Sequence, residues 1–300
     1  MGERAMRKTA LEKKEERIGY LFLLPNLVGF LVFTLFPVGF SLVLSLCQWN
    51  LSGTIKFVGL SNFIEILTTD EMFWKVLSNT FYYILLVIPA GFVLAMALAL
   101  ALNKGLKGTI AFRSIFFLPI VISFIAAAMI WVWLFDKDFG VVNYFLWLLG
   151  IRGVGWLSDP KMAMISMAVI ALWHDTGYNM TIMLAGLQTV PKQLYEAAEI
   201  DGANAWQKLW NVTLPMLSPT LFFMLVMAII GSFQVFDLIF VLTGGGPLNS
   251  TRTIVAYIYS NGFSYFKMGY ASALAWIMFL ILFVCTWIQF KLQKDTVFYN

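Results

Sequence analysis

Two apolar stretches of this chain are interrupted by side chains able to hold a solute or move a proton. The first reads Trp173-His174-Asp175-Thr176-Gly177-Tyr178-Asn179, the second Gly231-Ser232-Phe233-Gln234-Val235-Phe236-Asp237. Carboxylates and amides hydrogen-bond hydroxyl groups, and aromatic rings cover apolar ring faces. A sugar presents both surfaces, so the mixture has the chemistry of a sugar site. If both stretches are helical, His174, Tyr178 and Thr181 share one face and Asp175 and Asn179 the neighbouring one. Ser232 and Asp237 then lie on roughly one side, with Gln234 off it. Ionisable and polar groups inside an apolar span are costly and mark solute paths by default. Asp175 and Asp237 are therefore placed on a pathway, with Tyr178, Asn179, Ser232 and Gln234 beside them. His174 is left between pathway and interhelical packing, because polar groups also bind helices together. An acid–base pair, His174 with Asp175, is the rival chemistry. Neighbours on a helix point about a third of a turn apart and are poorly placed to share one proton. No nucleophile motif or metal-ligand cluster accompanies them.

A different polar island follows: Glu196-Ala197-Ala198-Glu199-Ile200-Asp201-Gly202-Ala203, closed by Val212-Thr213-Leu214-Pro215. Three acidic residues in six positions exclude it from the bilayer centre. Pro191 suits a first helical turn, and Leu194, Ala197 and Ala198 recur at helical spacing. Gly202 suits the left-handed residue that stops a helix. Asn204 can cap a second short helix, from Ala205 to about Val212, with Pro215 ending it. The expected form is helix, glycine bend, helix, lying against the membrane. Its Ala-Ala face admits a close partner, and its carboxylates offer that partner charge.

The elements that carry these residues are membrane-spanning helices. The chain of 300 residues is 60% hydrophobic and 12% charged, against about 25% charged in soluble domains. Apolar runs at about 18–46, 76–102, 110–135, 162–187, 218–242 and 270–290 give six spans, each near the ~20 residues a bilayer core requires. Pro25 and Pro37 are expected to bend the first, and Pro119 lies inside the third. Residues 1–17 form a basic tail, 188–215 the polar loop and 292–300 a second tail. Lysine and arginine concentrate in the first tail and in the Lys104-Gly105-Leu106-Lys107 turn, which places both termini and the polar loop in the cytoplasm. The formal net charge of +4 reflects that tail. No basic stripe of the kind that binds nucleic acid is present. Cys47 and Cys285 read as small apolar residues in separate segments. No phosphate-cradling Gly-x-x-x-x-Gly-Lys-Ser/Thr occurs, since Gly105-Leu106-Lys107-Gly108-Thr109 lacks the spacing.

The pattern Glu196-Ala197-Ala198, Gly202-Ala203, Val212 and Leu214-Pro215 resembles the EAA loop of ABC importer permeases, with Val212 standing where isoleucine is commoner. Phe57-Val58-Gly59-Leu60-Ser61-Asn62-Phe63, Phe73-Trp74 and Asn79-Thr80 resemble the first of two permeases in carbohydrate-uptake importers. The resemblance covers nearly the whole chain. It implies an all-α membrane protein with the type I ABC importer permease fold, in the cell membrane. It further implies that Glu196, Ala197, Ala198, Gly202, Ala203, Leu214 and Pro215 couple the chain to a cytoplasmic ABC ATPase dimer, which would bind the ATP and magnesium. The chain itself then binds no cofactor. A second homologous permease and an extracytoplasmic solute-binding protein are the other implied partners, besides membrane lipid. Aligned on Trp173 and on Gly245-Gly246-Pro247, the resemblance to the maltose-type permease puts His174, Asp175, Tyr178, Ser232 and Val235 at sugar-contacting positions. Glycerol phosphate or a peptide is the alternative solute. A phosphate should meet Arg or Lys within the spans, and none is central there, which favours a neutral solute.

Overall fold

The computed structural model describes residues 10–103 and 108–296. Arg4, Arg7 and Lys8 of the basic tail, Lys104 and Lys107 of the basic turn, and residues 297–300 lie outside the described residues. The described chain opens with three consecutive helical segments: α1 (Ala10–Phe30), a π turn at Leu31–Leu35, and α2 (Phe36–Ser45). A two-residue hairpin follows, β1 (Cys47–Gln48) against β2 (Lys56–Phe57), antiparallel with Cys47 opposite Phe57. Then come α3 (Ser61–Thr68), α4 (Glu71–Leu102), α5 (Thr109–Val121), α6 (Phe124–Leu134) and α7 (Val141–Leu148). The second half holds α8 (Ala163–Thr189), α9 (Lys192–Ile200), α10 (Ala205–Lys208), a π turn at Leu209–Thr213, α11 (Leu214–Phe233), α12 (Asp237–Leu242), α13 (Ile254–Tyr259), a π turn at Ser260–Ser264, and α14 (Met268–Thr296).

Among the described residues, four helical stretches are long and apolar enough to cross a membrane: Lys14–Ser45, Glu71–Leu102, Ala205–Leu242 and Met268–Gln293. The pair α5 and α6, bent by 96°, makes a fifth if taken as one span. The segment expected at 162–187 is helical as α8, yet its polar stretch from His174 to Asn179 keeps it out of that set. The reason is its place in the bundle. It packs on α4, α5, α6, α11 and α12, so much of its surface meets protein rather than lipid, and polar groups there are tolerated.

Three expectations about continuity are corrected. The stretch 110–135 is not one helix: Ile122 and Ser123 are extended, with ψ of 137° and 129°. Pro119 has already removed a backbone donor from the last turn of α5. Likewise 218–242 breaks between Phe233 and Asp237. The Val235 carbonyl freed there accepts from Thr253 Oγ1 at 3.0 Å, so the break leaves that group satisfied. Pro215, finally, ends no helix. It sits in the first turn of α11, directly after a π turn whose closing bond runs from Leu214 N–H to Leu209 O. Pro37 follows the π turn at Leu31–Leu35 in the same register, closed by Phe36 N–H to Leu31 O. A widened turn relieves the clash between a proline ring and the preceding turn's carbonyl.

Close approach is set by small residues, as expected of helices packed in lipid. Ala95 and Ala99 of α4 are fully buried against Met180, Met183 and Leu184 of α8 and Leu217 of α11. At one end of the bundle, Asp70 gathers four donors. Its Oδ1 caps α4 through Met72 N and Phe73 N, and its Oδ2 accepts from the hydroxyls of Tyr257 and Tyr270. The clasp ties α4 to α13 and α14. Asp70→Ala is expected to cost about 2–4 kcal/mol, a cap plus two hydroxyl bonds, read as a lower melting temperature in detergent. Tyr257 is pushed up from 10.0 to about 12, by burial first and then by its bond to Asp70. A phenol raised in the fold stabilises below its unfolded pKa and loses that stabilisation as pH climbs through the folded value. The Tyr257 contribution should therefore be whole at pH 9 and fade between 10.0 and about 12.

Candidate functional site

A cavity of 390 Å³ opens between α4, α5, α6, α8 and α11. Its wall is largely apolar, with Gly91 from α4, Ile120 and Phe124 from α5 and α6, and Phe223 and Met227 from α11. The polar groups are few: Asp175, Thr176, Tyr178 and Asn179 from α8, Ser232 from α11 and Tyr83 from α4. An apolar wall with a handful of convergent polar groups is the usual form of a small-molecule site. α8 can reach this position because Gly177 lies against the backbone of α5. A Cβ there would stand 1.8 Å from the Phe116 carbonyl oxygen.

Of the residues singled out in the sequence, Asp175, Tyr178, Asn179, Ser232 and Val235 line this cavity. His174 does not. It is 8% exposed, packs edge-on against Phe124 with ring centroids 4.4 Å apart, and bonds Asp175 Oδ1 through Nδ1 at 2.6 Å. The expectation that these neighbours diverge too far to share a proton is corrected. The imidazole meets the carboxylate of the next residue directly. Its Nε2 is buried and finds no partner among the described residues, so the ring steadies Asp175 and lies behind the wall. Tyr178 and Asp175 border one cavity although assigned to different helix faces, because α4, α5 and α11 wrap a wide arc of α8.

Gln234 and Asp237 border a second cavity of 170 Å³, next to the first, with Phe124 and Val235 in the walls of both. The break after Phe233 puts them there and separates Asp237 from Ser232, contrary to a continuous helix. Tyr83 and Phe124 were not singled out from the sequence, and Thr176 stood in the polar stretch without a role of its own. Tyr83 and Thr176 carried the same signal, a polar group in an apolar run. Phe124 carried none.

At the far end of α8 the polar island folds as helix, glycine, helix. Pro191 is the cap residue of α9 with extended ψ of 131°, one position before the expected first turn. Glu196 and Ala197 are exposed and Ala198 is half-buried. Gly202 has φ of +79°, and around it Asp201, Gly202 and Ala203 N–H donate to the carbonyls of Ala197, Glu199 and Ala198. That is the left-handed glycine stop. Asn204 and Gln207 form a reciprocal capping box at α10, as S/T/N-type caps do. Ala203, Leu214 and Pro215 are half-buried, the last two at the start of α11.

The two limbs of this bend are pinned together twice. Lys208 Nζ meets Glu199 Oε1 at 2.7 Å, and the Tyr195 hydroxyl lies 3.0 Å from Thr213 Oγ1. Thr213 is 3% exposed and donates to the Lys208 carbonyl at 3.2 Å. The exposed ion pair contributes little, whereas the Tyr195–Thr213 bond is half-buried and fixes α9 against the π turn. Tyr195→Phe should leave the fold standing and loosen that angle. The lost bond is expected to cost about 0.5–1.5 kcal/mol, read as a lower melting temperature in detergent. A melting temperature equal to that of the wild type would show that the strut contributes nothing.

The sequence pattern of the family described as "Binding-protein-dependent transport system inner membrane component" matches residues 88–297. A probable ABC transporter permease protein, YesP, of Bacillus subtilis (strain 168) is 39% identical over 303 residues, covering 100% of this chain and 97% of its own. The lactose transport system permease protein LacF of Rhizobium radiobacter is 36% identical over 294 residues, covering 96% and 98%. Among solved structures, a chain of a bacterial alginate ABC transporter, crystallised with an alginate pentasaccharide-bound periplasmic protein, superposes with a TM-score of 0.84 at 25% identity, covering 94% of this chain and 96% of that one.

Proposed function

The chain belongs to the family of inner membrane components of binding-protein-dependent transport systems, and from that premise we propose that it forms half of the pathway by which an ABC importer takes up a sugar or oligosaccharide. It is a transport component and not an enzyme. The observation that carries the sugar reading is the cavity beside α8, where Asp175, Asn179, Tyr178 and Ser232 meet an apolar and aromatic wall. The lactose permease relative supports the same solute class.

The remaining parts follow from this reading. Six spans cross the membrane: the four long apolar stretches, the bent α5–α6 pair, and α8 enclosed among them. Both termini and the α9–α10 bend lie in the cytoplasm, where a separate ABC ATPase dimer docks on Glu196, Ala197, Ala198, Gly202 and Ala203. Leu214 and Pro215 pass the movement into α11. ATP and magnesium are bound by that ATPase. A second permease completes the pathway, and a solute-binding protein delivers the sugar from outside. Nucleotide-driven closure of the ATPases biases two states of the permease pair.

The test is purification of the chain from its native membrane with its companions identified. A second permease of the same family and a P-loop ATPase in stoichiometric amount are expected. A stable chain recovered without an ATPase overturns the assignment.

A further inference from the structure

We propose that Asp175, held by His174, makes this half of the pathway selective for neutral glycans over glycans that carry uronic acids. The inference rests on the sugar-pathway reading above. Asp175 is the charged side chain among the described residues lining the larger cavity, and Asp237 holds the same place in the smaller one. No lysine or arginine is among the described lining residues of either. A solute in either cavity therefore faces a carboxylate and no lysine or arginine among the described lining residues.

The geometry makes Asp175 a fixed acceptor rather than a mobile charge. Its Oδ1 is engaged by His174 at 2.6 Å, and His174 is itself buried against Phe124. The Asp175 side chain is nonetheless 49% exposed, and Oδ2 accepts no hydrogen bond from a described residue. One oxygen is thus tied down and the other is offered to the cavity. Asn179 stands one helical turn away, and Ser232 faces in from α11. A neutral sugar brings hydroxyl donors to that oxygen, and a charge-assisted bond to a hydroxyl is about twice as strong as a neutral one. A uronate brings a second carboxylate close to Asp175 in a water-accessible cavity with a partly apolar wall, where like charges repel somewhat more than in bulk water. Selectivity then comes from an attractive contact to one class and a repulsive contact to the other. His174 is a positioning residue in this scheme and touches no solute.

The test uses the whole permease–ATPase complex in lipid nanodiscs, without the binding protein, so that only the pathway selects. Saturation-transfer NMR measures lactose and maltotriose against digalacturonate and trigalacturonate. The neutral sugars are expected to bind at least about tenfold more tightly than the galacturonates of equal length in low salt. The gap should shrink when salt is raised, because screening weakens repulsion in a water-accessible cavity. In Asp175→Asn, which keeps size and hydrogen bonding, the gap should close to within about twofold. Galacturonates binding as tightly as neutral sugars to the wild type overturn the inference, as does a gap that survives Asp175→Asn. If that variant fails to assemble, the wild-type ratio and its salt dependence decide alone. Absence of binding by any glycan overturns the sugar reading itself, a separate result.

Discussion

In a complex carrying Glu196→Ala, solute uptake is expected to fall by about thirtyfold or more while the chain still inserts and assembles. Glu196 is exposed on α9 and makes no bond within the described chain that the substitution would break. Its carboxylate is free for a partner, and truncating one member of a hydrogen-bonded charge pair at an interface costs about 2–5 kcal/mol. Gly202→Asp should have the same outcome by another route. Nothing stands within 4 Å of a Cβ at Gly202, so no side chain clashes. The backbone, however, is at φ +79°, where an L residue costs roughly 1–2 kcal/mol. Relief of that strain swings α9 away from α10 and misdirects the exposed Glu196 face. ATP hydrolysis measured beside uptake separates uncoupling from loss of the complex. Unchanged uptake in either variant would remove the coupling role from this segment.

The second large effect is expected at Gly177. Alanine there would place a Cβ 1.8 Å from the Phe116 carbonyl oxygen, 2.4 Å from the Phe116 carbonyl carbon and 2.8 Å from Phe117 N. These are backbone atoms, which cannot swing aside as a side chain does. α5 must retreat from α8 by more than an ångström, beside the wall that Ile120 and Phe124 give to the cavity. Overpacking a tight core costs about 1–3 kcal/mol and more when backbone must move. We expect Gly177→Ala to lower the melting temperature clearly and to abolish uptake, because the cavity's two sides separate. Gly29→Ala, with nothing within 4 Å, is the matched control and should behave as wild type. A Gly177→Ala chain with normal melting and uptake would contradict this close approach.

The parts legible in sequence were those set by local chemistry. Gly202 and Asn204 announce a stop and a cap through their own preferences, and both take those roles in the fold. The apolar runs announce helices. What escaped were the interruptions, because they depend on distant partners. The break after Phe233 is stable since Thr253, 18 residues on, satisfies the Val235 carbonyl; no local pattern carries that information. Pro215 read as a stop, yet it sits inside the first turn of α11, and a π turn ahead of it accommodates it; a π turn likewise precedes Pro37. For the cavity, polarity inside apolar runs found Asp175, Tyr178, Asn179 and Ser232. It left His174 open between pathway and packing, and the side chain spends its bond on Asp175 behind the wall; it gave no weight to Phe124, whose position comes from the bend between α5 and α6.

The most direct measurement is uptake of labelled glycan into proteoliposomes that contain the chain with its co-purified permease and ATPase, with the binding protein outside and ATP inside. Accumulation that requires both ATP and the binding protein, and that Glu196→Ala removes, is the predicted result. Glycan entry at the same rate without ATP would contradict the account.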